Sequence, residues 1–105
     1  MHIEVSTDNS IHGSETLTNI VKGLVQEELT HLEDHITRIE VHLSDPSTGT
    51  TGQEEKHCML EARLKGQQPT VVKDSAATLE QATKGAANKM KSALESILGK
   101  LSNRH

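Results

Sequence analysis

Apolar and polar residues alternate at the start of the chain. In MHIEVSTD, Ile3 and Val5 fall on one side and His2, Glu4 and Ser6 on the other, the period-two pattern of a strand with one buried face. NSIHGS reads as a turn, with Ser14 placed to cap a helix and Glu15 in its first turn, where the helix dipole favours an anion. Leu17, Ile20, Val21, Leu24, Val25, Leu29 and Leu32 then recur at helical spacing and predict a helix from about 15 to about 35. Gly23 sits in its middle, at a cost of about 1 kcal/mol relative to Ala, and is expected to let a neighbour approach closely.

The period returns to two at RIEVHLSD, where Ile39, Val41 and Leu43 point inward and Arg38, Glu40 and His42 outward. DPSTGTTGQEEK has no apolar residue and reads as a long hairpin loop. HCMLEARLKG is a third strand, with Cys58, Leu60, Ala62 and Leu64 inward and His57, Met59, Glu61 and Arg63 outward. A turn at GQQP leads to TVVKD, a weaker strand at the edge of the sheet. Leu79, Ala82, Ala86, Met90, Ala93, Leu94, Ile97 and Leu101 mark a long amphipathic helix from about 76 to 101. Thr78 and Gln81 have capping-box spacing, and Asp74 or Ser75 would serve equally as an earlier cap. The order β-α-β-β-β-α predicts an α+β fold: a two-layer sandwich of a four-stranded mixed sheet with both helices on its one apolar face. The first and second strands, joined through a helix, should run parallel.

Composition narrows the function. Residues 1–105 make one domain. Leu, Ile and Val number 11, 6 and 6, so the core is lean and depends on the strictness of the pattern. There is no Phe, Tyr or Trp, which argues against reading single-stranded RNA by stacking bases on aromatic platforms. The net charge is −4 with seven neutral histidines, and protonating all seven would bring it to +3. One cysteine leaves no internal disulfide and suits a reducing compartment. No run approaches the roughly 18 apolar residues of a membrane span, and the N-terminus starts on a strand pattern rather than a targeting signal. A cytoplasmic protein without a membrane partner is the expectation.

With the elements in this order, the chain resembles the family of ribosome hibernation-promoting factors and ribosome-associated inhibitors, also called sigma-54 modulation or ribosomal subunit interface proteins. The resemblance covers nearly the whole length and rests on HIEVSTDN, ITRIEVHLSD, CMLEARLKGQQPTVV and AATLEQATKGAANKMKSAL. It implies a fold like a double-stranded RNA-binding domain with an extra first strand. It also implies a bacterial-type, non-enzymatic stress factor without a cofactor, a metal or a small-molecule substrate. Such a factor binds the 16S-type rRNA of the small ribosomal subunit and blocks mRNA and tRNA. The chain stops soon after the second helix, as the family's short form does. Family rRNA contacts come from basic side chains on the helices. Carried over, they fall on Lys89 of the Lys89-Met90 pair and on Lys100. Lys84 and Lys91, one heptad apart, extend a basic stripe that Arg104 continues, and Lys22 adds to it from the first helix. The first helix departs from the family where Gln26, Glu27 and Glu28 replace lysines. That acidity leaves open an alternative, a divergent member whose partner is a protein.

Two further constellations bear on chemistry. Glu27, His31 and His35 at i, i+4, i+8 would set three metal-competent side chains along one helix, although THLEDH is more simply a helix end with histidines in the last turn. His2, His42 and His57 share the outward strand positions with Glu4, Glu40 and Glu61, an acid–histidine surface that lacks an evident nucleophile or a walled pocket. Cys58 alternates with Leu60 and Ala62, so a buried, inert thiol is expected.

Overall fold

The computed structural model describes residues 1–8, 11, 13–45 and 55–102. Four strands, β1 (His2–Thr7), β2 (Ile36–Ser44), β3 (Lys56–Leu64) and β4 (Thr70–Ala76), and two helices, α1 (Glu15–Leu29) and α2 (Leu79–Ser102), follow in the order β-α-β-β-β-α. The strands lie side by side in chain order. β1 runs parallel to β2, with Ile3 opposite Ile39 and Val5 opposite Val41. The other two pairings are antiparallel and set Leu60 between Val41 and Val72.

Period-two alternation decides which face the helices cover. Ile39, Val41, Leu43, Cys58, Leu60, Ala62 and Leu64 are buried, and the residues between them point to the open face. α1 adds Val21, Val25 and Leu29 to this core, and α2 adds Ala82, Ala86, Ala87, Met90 and Leu94. Three alanines on the buried side of α2 let the helix lie close to β3 and β4. Each fully buried Leu, Ile or Met stabilises the fold by roughly 1.5–3 kcal/mol. The result is the expected two-layer α+β sandwich, with a mixed sheet below and two helices above.

Local boundaries differ from the pattern in three places. α1 does not run on to residue 35. It ends at Leu29, and Thr30–His35 form a 3₁₀ segment. Leu29 and Leu32 are both buried, and a three-residue spacing is satisfied better by three residues per turn than by 3.6. β2 therefore starts earlier, at Ile36, where a bulge lets Thr37 sit as an extra residue between the Ile36–Leu64 and Arg38–Arg63 pairs. The Thr37 hydroxyl donates to the Arg63 carbonyl at 3.1 Å. β4 extends past the TVVKD segment to Ala76, so Asp74 and Ser75 are strand residues and not caps. Thr78 caps α2 instead, its hydroxyl accepting the Gln81 N–H at 3.1 Å. Ser14 caps α1 as expected, accepting the Leu17 N–H at 3.0 Å.

Gly23 does not serve a close approach: a Cβ there would meet nothing within 4 Å. The glycine that does is Gly85, on the side of α2 that faces β4. A Cβ at this position would run into the Asp74 carboxylate, whose Cγ would lie 2.7 Å away. The hairpin loop expected between β2 and β3 falls mostly outside the described residues. Its base is held by an ion pair of 3.0 Å between Lys56 and Asp45.

Candidate nucleic-acid interface

The long helix α2 carries four of the expected phosphate-binding side chains, Lys84, Lys89, Lys91 and Lys100, and its core-facing residues divide them into two sets. Lys84 and Lys91 are seven residues apart and lie on one side. Lys89 follows Lys84 by five residues, about 140° further round the helix, and Lys100 follows Lys89 by eleven, about 20° off its line. Contacts fix which side is which. Lys91 reaches Glu28 of α1 at 4.0 Å. Lys89 reaches β4, donating to the Lys73 carbonyl at 2.9 Å and to Asp74 Oδ1 at 3.2 Å. The lysines are therefore two edges flanking a ridge of Gln81, Asn88, Ser92 and Ser96, with the exposed Glu95 beside the Lys84–Lys91 edge, rather than the single stripe that spacing in the sequence suggested.

Lys22 stands apart from both edges. It borders a shallow recess with Met1, His2, Ile3 and Gln26, at the start of β1. Arg104 lies outside the described residues. Among the described residues, Lys22, Lys84 and Lys100 form no ion pair, and their ammonium groups face solvent. Lys89 and Lys91 already have acidic neighbours, but exposed pairs of this kind are worth about 0–1 kcal/mol, so a phosphate group can displace either carboxylate.

Two further residues border the lysine edges. Asp74 was read as a candidate helix cap and is instead the acidic partner of Lys89. Lys73 points to the open face of the sheet, opposite Met59, and carries no ion pair among the described residues. The alternation in TVVKD contained this information, because Val72 turns inward and its neighbours must turn outward.

Glu27, His31 and His35 do not converge. The end of α1 at Leu29 breaks the four-residue repeat on which their shared face depended, and His31 turns instead to Glu95 of α2, Nε2 to Oε2 at 3.1 Å. Among the described residues, no group of three or more His, Cys, Asp or Glu side chains is placed to hold a metal ion. On the open face, Glu4 and Glu40 are engaged by side chains of the first two strands. Arg38 donates to Glu4 at 2.7 Å and to Glu40 at 3.0 Å, and His2 pairs with Glu4 at 3.1 Å. The His2 hydrogen bond, followed by the Arg38 charge, holds the Glu4 carboxyl below its ordinary value. Cys58 is buried under α2, and burial, reinforced by the Asp74 charge, pushes its thiol up to about 11 despite an opposing hydrogen bond with Thr83. A thiol so placed is a poor nucleophile at neutral pH. Among the described residues, no helix is long and apolar enough to cross a membrane.

Comparison with known proteins agrees with this architecture. The fold is similar to the N-terminal domain of Protein Y from Thermus thermophilus, with a TM-score of 0.71 at 15% identity over 92% of this chain and 99% of that one. It is equally similar to a ribosomal subunit interface protein from Coxiella burnetii, with a TM-score of 0.72 at 15% identity over 94% and 99% of the two chains. Among curated proteins, no sequence matches the chain. Residues 10–102 match the profile of the family described as Sigma 54 modulation protein / S30EA ribosomal protein, and a match over that much of the length shows that the chain belongs to this family.

Proposed function

We propose that the protein is a non-enzymatic, ribosome-associated factor of the cytoplasm that docks on rRNA of the small ribosomal subunit through α2 and so blocks access of mRNA and tRNA. The family match over residues 10–102 carries this reading. The exposed lysines on both edges of α2 supply its chemistry. Phosphate neutralisation with counterion release provides most of the affinity of such contacts and makes them salt-dependent. Two lysine edges set apart on the helix suit two strands of backbone phosphate, or the two sides of one groove, better than a single line of phosphates. The absence of aromatic residues fits recognition of backbone and shape rather than of splayed bases.

Charge reversal tests the surface. Lys84→Glu, Lys89→Glu and Lys91→Glu together should abolish co-sedimentation with ribosomes while leaving the thermal midpoint close to that of the wild type. Undiminished co-sedimentation of the triple variant would refute α2 as the docking surface. A second reading, a protein partner met through α1, is favoured by one observation. Ile20 is 41% exposed on a helix that also presents Glu15 and Glu27 to solvent, a surface with poor complementarity to phosphate. Capture of the wild type by a single non-ribosomal protein in ribosome-free lysate, lost in Ile20→Asp, would favour that reading.

A further inference from the structure

At the end of the sheet where β1 and β2 finish, the register brings together an unusual set of side chains. One row across the open face reads Ser6, His42, Met59 and Lys73, and the next reads Ser44, His57 and Ser75. These rows, with Leu43, Cys58, Asp74 and Lys89 behind them, line a cavity of about 600 Å³. That size lies within the range of small-ligand sites. Its apolar surface is the Met59 side chain, while Leu43 and Cys58 border it only through the strand backbone, their side chains being buried on the other face.

The polar groups of the cavity are mostly uncommitted. Asp74 is held by Lys89 at 3.2 Å, and the remaining carboxylate of the lining, Asp8, is engaged as well. Among the described residues, the Lys73 ammonium, the His42 imidazole and the hydroxyls of Ser6, Ser44 and Ser75 have no partner. Lys73 and Ser75 lie two residues apart on the same face of β4, so an ammonium and a hydroxyl donate at one end of the recess, and what satisfies both at once is a group with several acceptor oxygens and negative charge. A phosphate has three such oxygens and forms short, charge-assisted bonds. A metal ion would be repelled by Lys73 and finds no group of three ligands there.

We propose that this cavity binds a small phosphate ester of about mononucleotide size, its phosphate taken by Lys73 with the Ser75 hydroxyl and its remainder resting on Met59. Neither the rRNA reading nor ribosome binding enters the argument, although Lys89 borders both surfaces. A phosphate of RNA backbone has the same chemistry as one on a free ester, and the choice of probe separates the two sources.

Titration of the purified full chain with adenosine 5′-monophosphate, followed calorimetrically and by the Met59 methyl resonance, tests the site without ribosomes. The expected result is saturable one-to-one binding that shifts the Met59 methyl, with adenosine binding at least about tenfold more weakly for want of the charged acceptor. Lys73→Met, which keeps an apolar stem on an exposed strand position, should weaken binding by about tenfold, whereas Lys84→Met on the far edge of α2 should not change it. Absence of saturable binding, equal affinity for nucleotide and nucleoside, or wild-type affinity in Lys73→Met would each overturn the proposal. Failure to bind the free nucleotide, with ribosome co-sedimentation intact, would count against this cavity alone.

Discussion

Gly23 and Gly85 both sit inside helices, yet they carry different obligations. Nothing lies within 4 Å of where a Gly23 side chain would be, so Gly23→Ala should recover helix propensity and stabilise the fold by about 0.5–1 kcal/mol. At Gly85 the same gain is opposed by the Asp74 carboxyl, which would have to swing away and release Lys89. Gly85→Ala should therefore bring little or no net gain, the lost pairing of about 0–1 kcal/mol offsetting the propensity term. In an Asp74→Ala background, the full propensity gain should appear, and urea denaturation of the four variants measures that coupling. Cys58 makes a second prediction. Its thiol is pushed up to about 11 from 9.0, so between those values the unfolded chain loses a proton that the folded chain keeps. Stability must then fall as pH rises through that window, by no more than about 2–3 kcal/mol. Cys58→Ala should flatten the wild type's extra alkaline loss, and thiol labelling of the native protein at pH 8 should be no faster than its unfolding allows.

Helices and strands explain what could be read in advance and what could not. The two central strands, with the alternation of Ile39, Val41 and Leu43 and that of Cys58, Leu60, Ala62 and Leu64, were legible because burial of one sheet face leaves a period of two. The end of α1 was not, because Leu29 and Leu32 are compatible with either helix type, and only the need to turn into β2 selects the tighter one. That single change removed the face on which Glu27, His31 and His35 would have met. Similarly, heptad spacing correctly joined Lys84 to Lys91, but it could not show that α1 lies beside one edge of α2 and β4 beside the other. Tertiary partners, Glu28 and Asp74, divide the lysines. Local signals were reliable where they are satisfied locally, as at the Ser14 cap, whereas at α2 Asp74 and Ser75 competed with Thr78 until the length of β4 decided for Thr78. Ser14→Ala and Thr78→Ala should each cost about 1 kcal/mol, read as a lower denaturation midpoint with an unchanged slope; an unaltered midpoint would mean that other groups satisfy the freed N–H donors.

On the scale of the whole molecule, an acidic chain with a net charge of −4 is asked to bind a polyanion, and the arrangement of charge has to resolve that tension. Of the acids on the open sheet face, Glu4 and Glu40 share Arg38, while among the described residues Lys84 and Lys100 on α2 have no acid to hold them. Local field at the docking face, not net charge, then sets affinity. Because the favourable term is phosphate neutralisation, the logarithm of the binding constant should fall linearly with the logarithm of salt, by about 0.9 for each duplex-like phosphate contact. Removing one lysine should reduce that slope by about the same amount. A chiefly apolar protein interface would show almost no slope. The most direct test of the account is sedimentation of the wild-type protein with isolated, active small ribosomal subunits across a salt series. It predicts retention near physiological salt that is lost steeply as salt rises; no retention at any salt, or retention indifferent to salt, would contradict it.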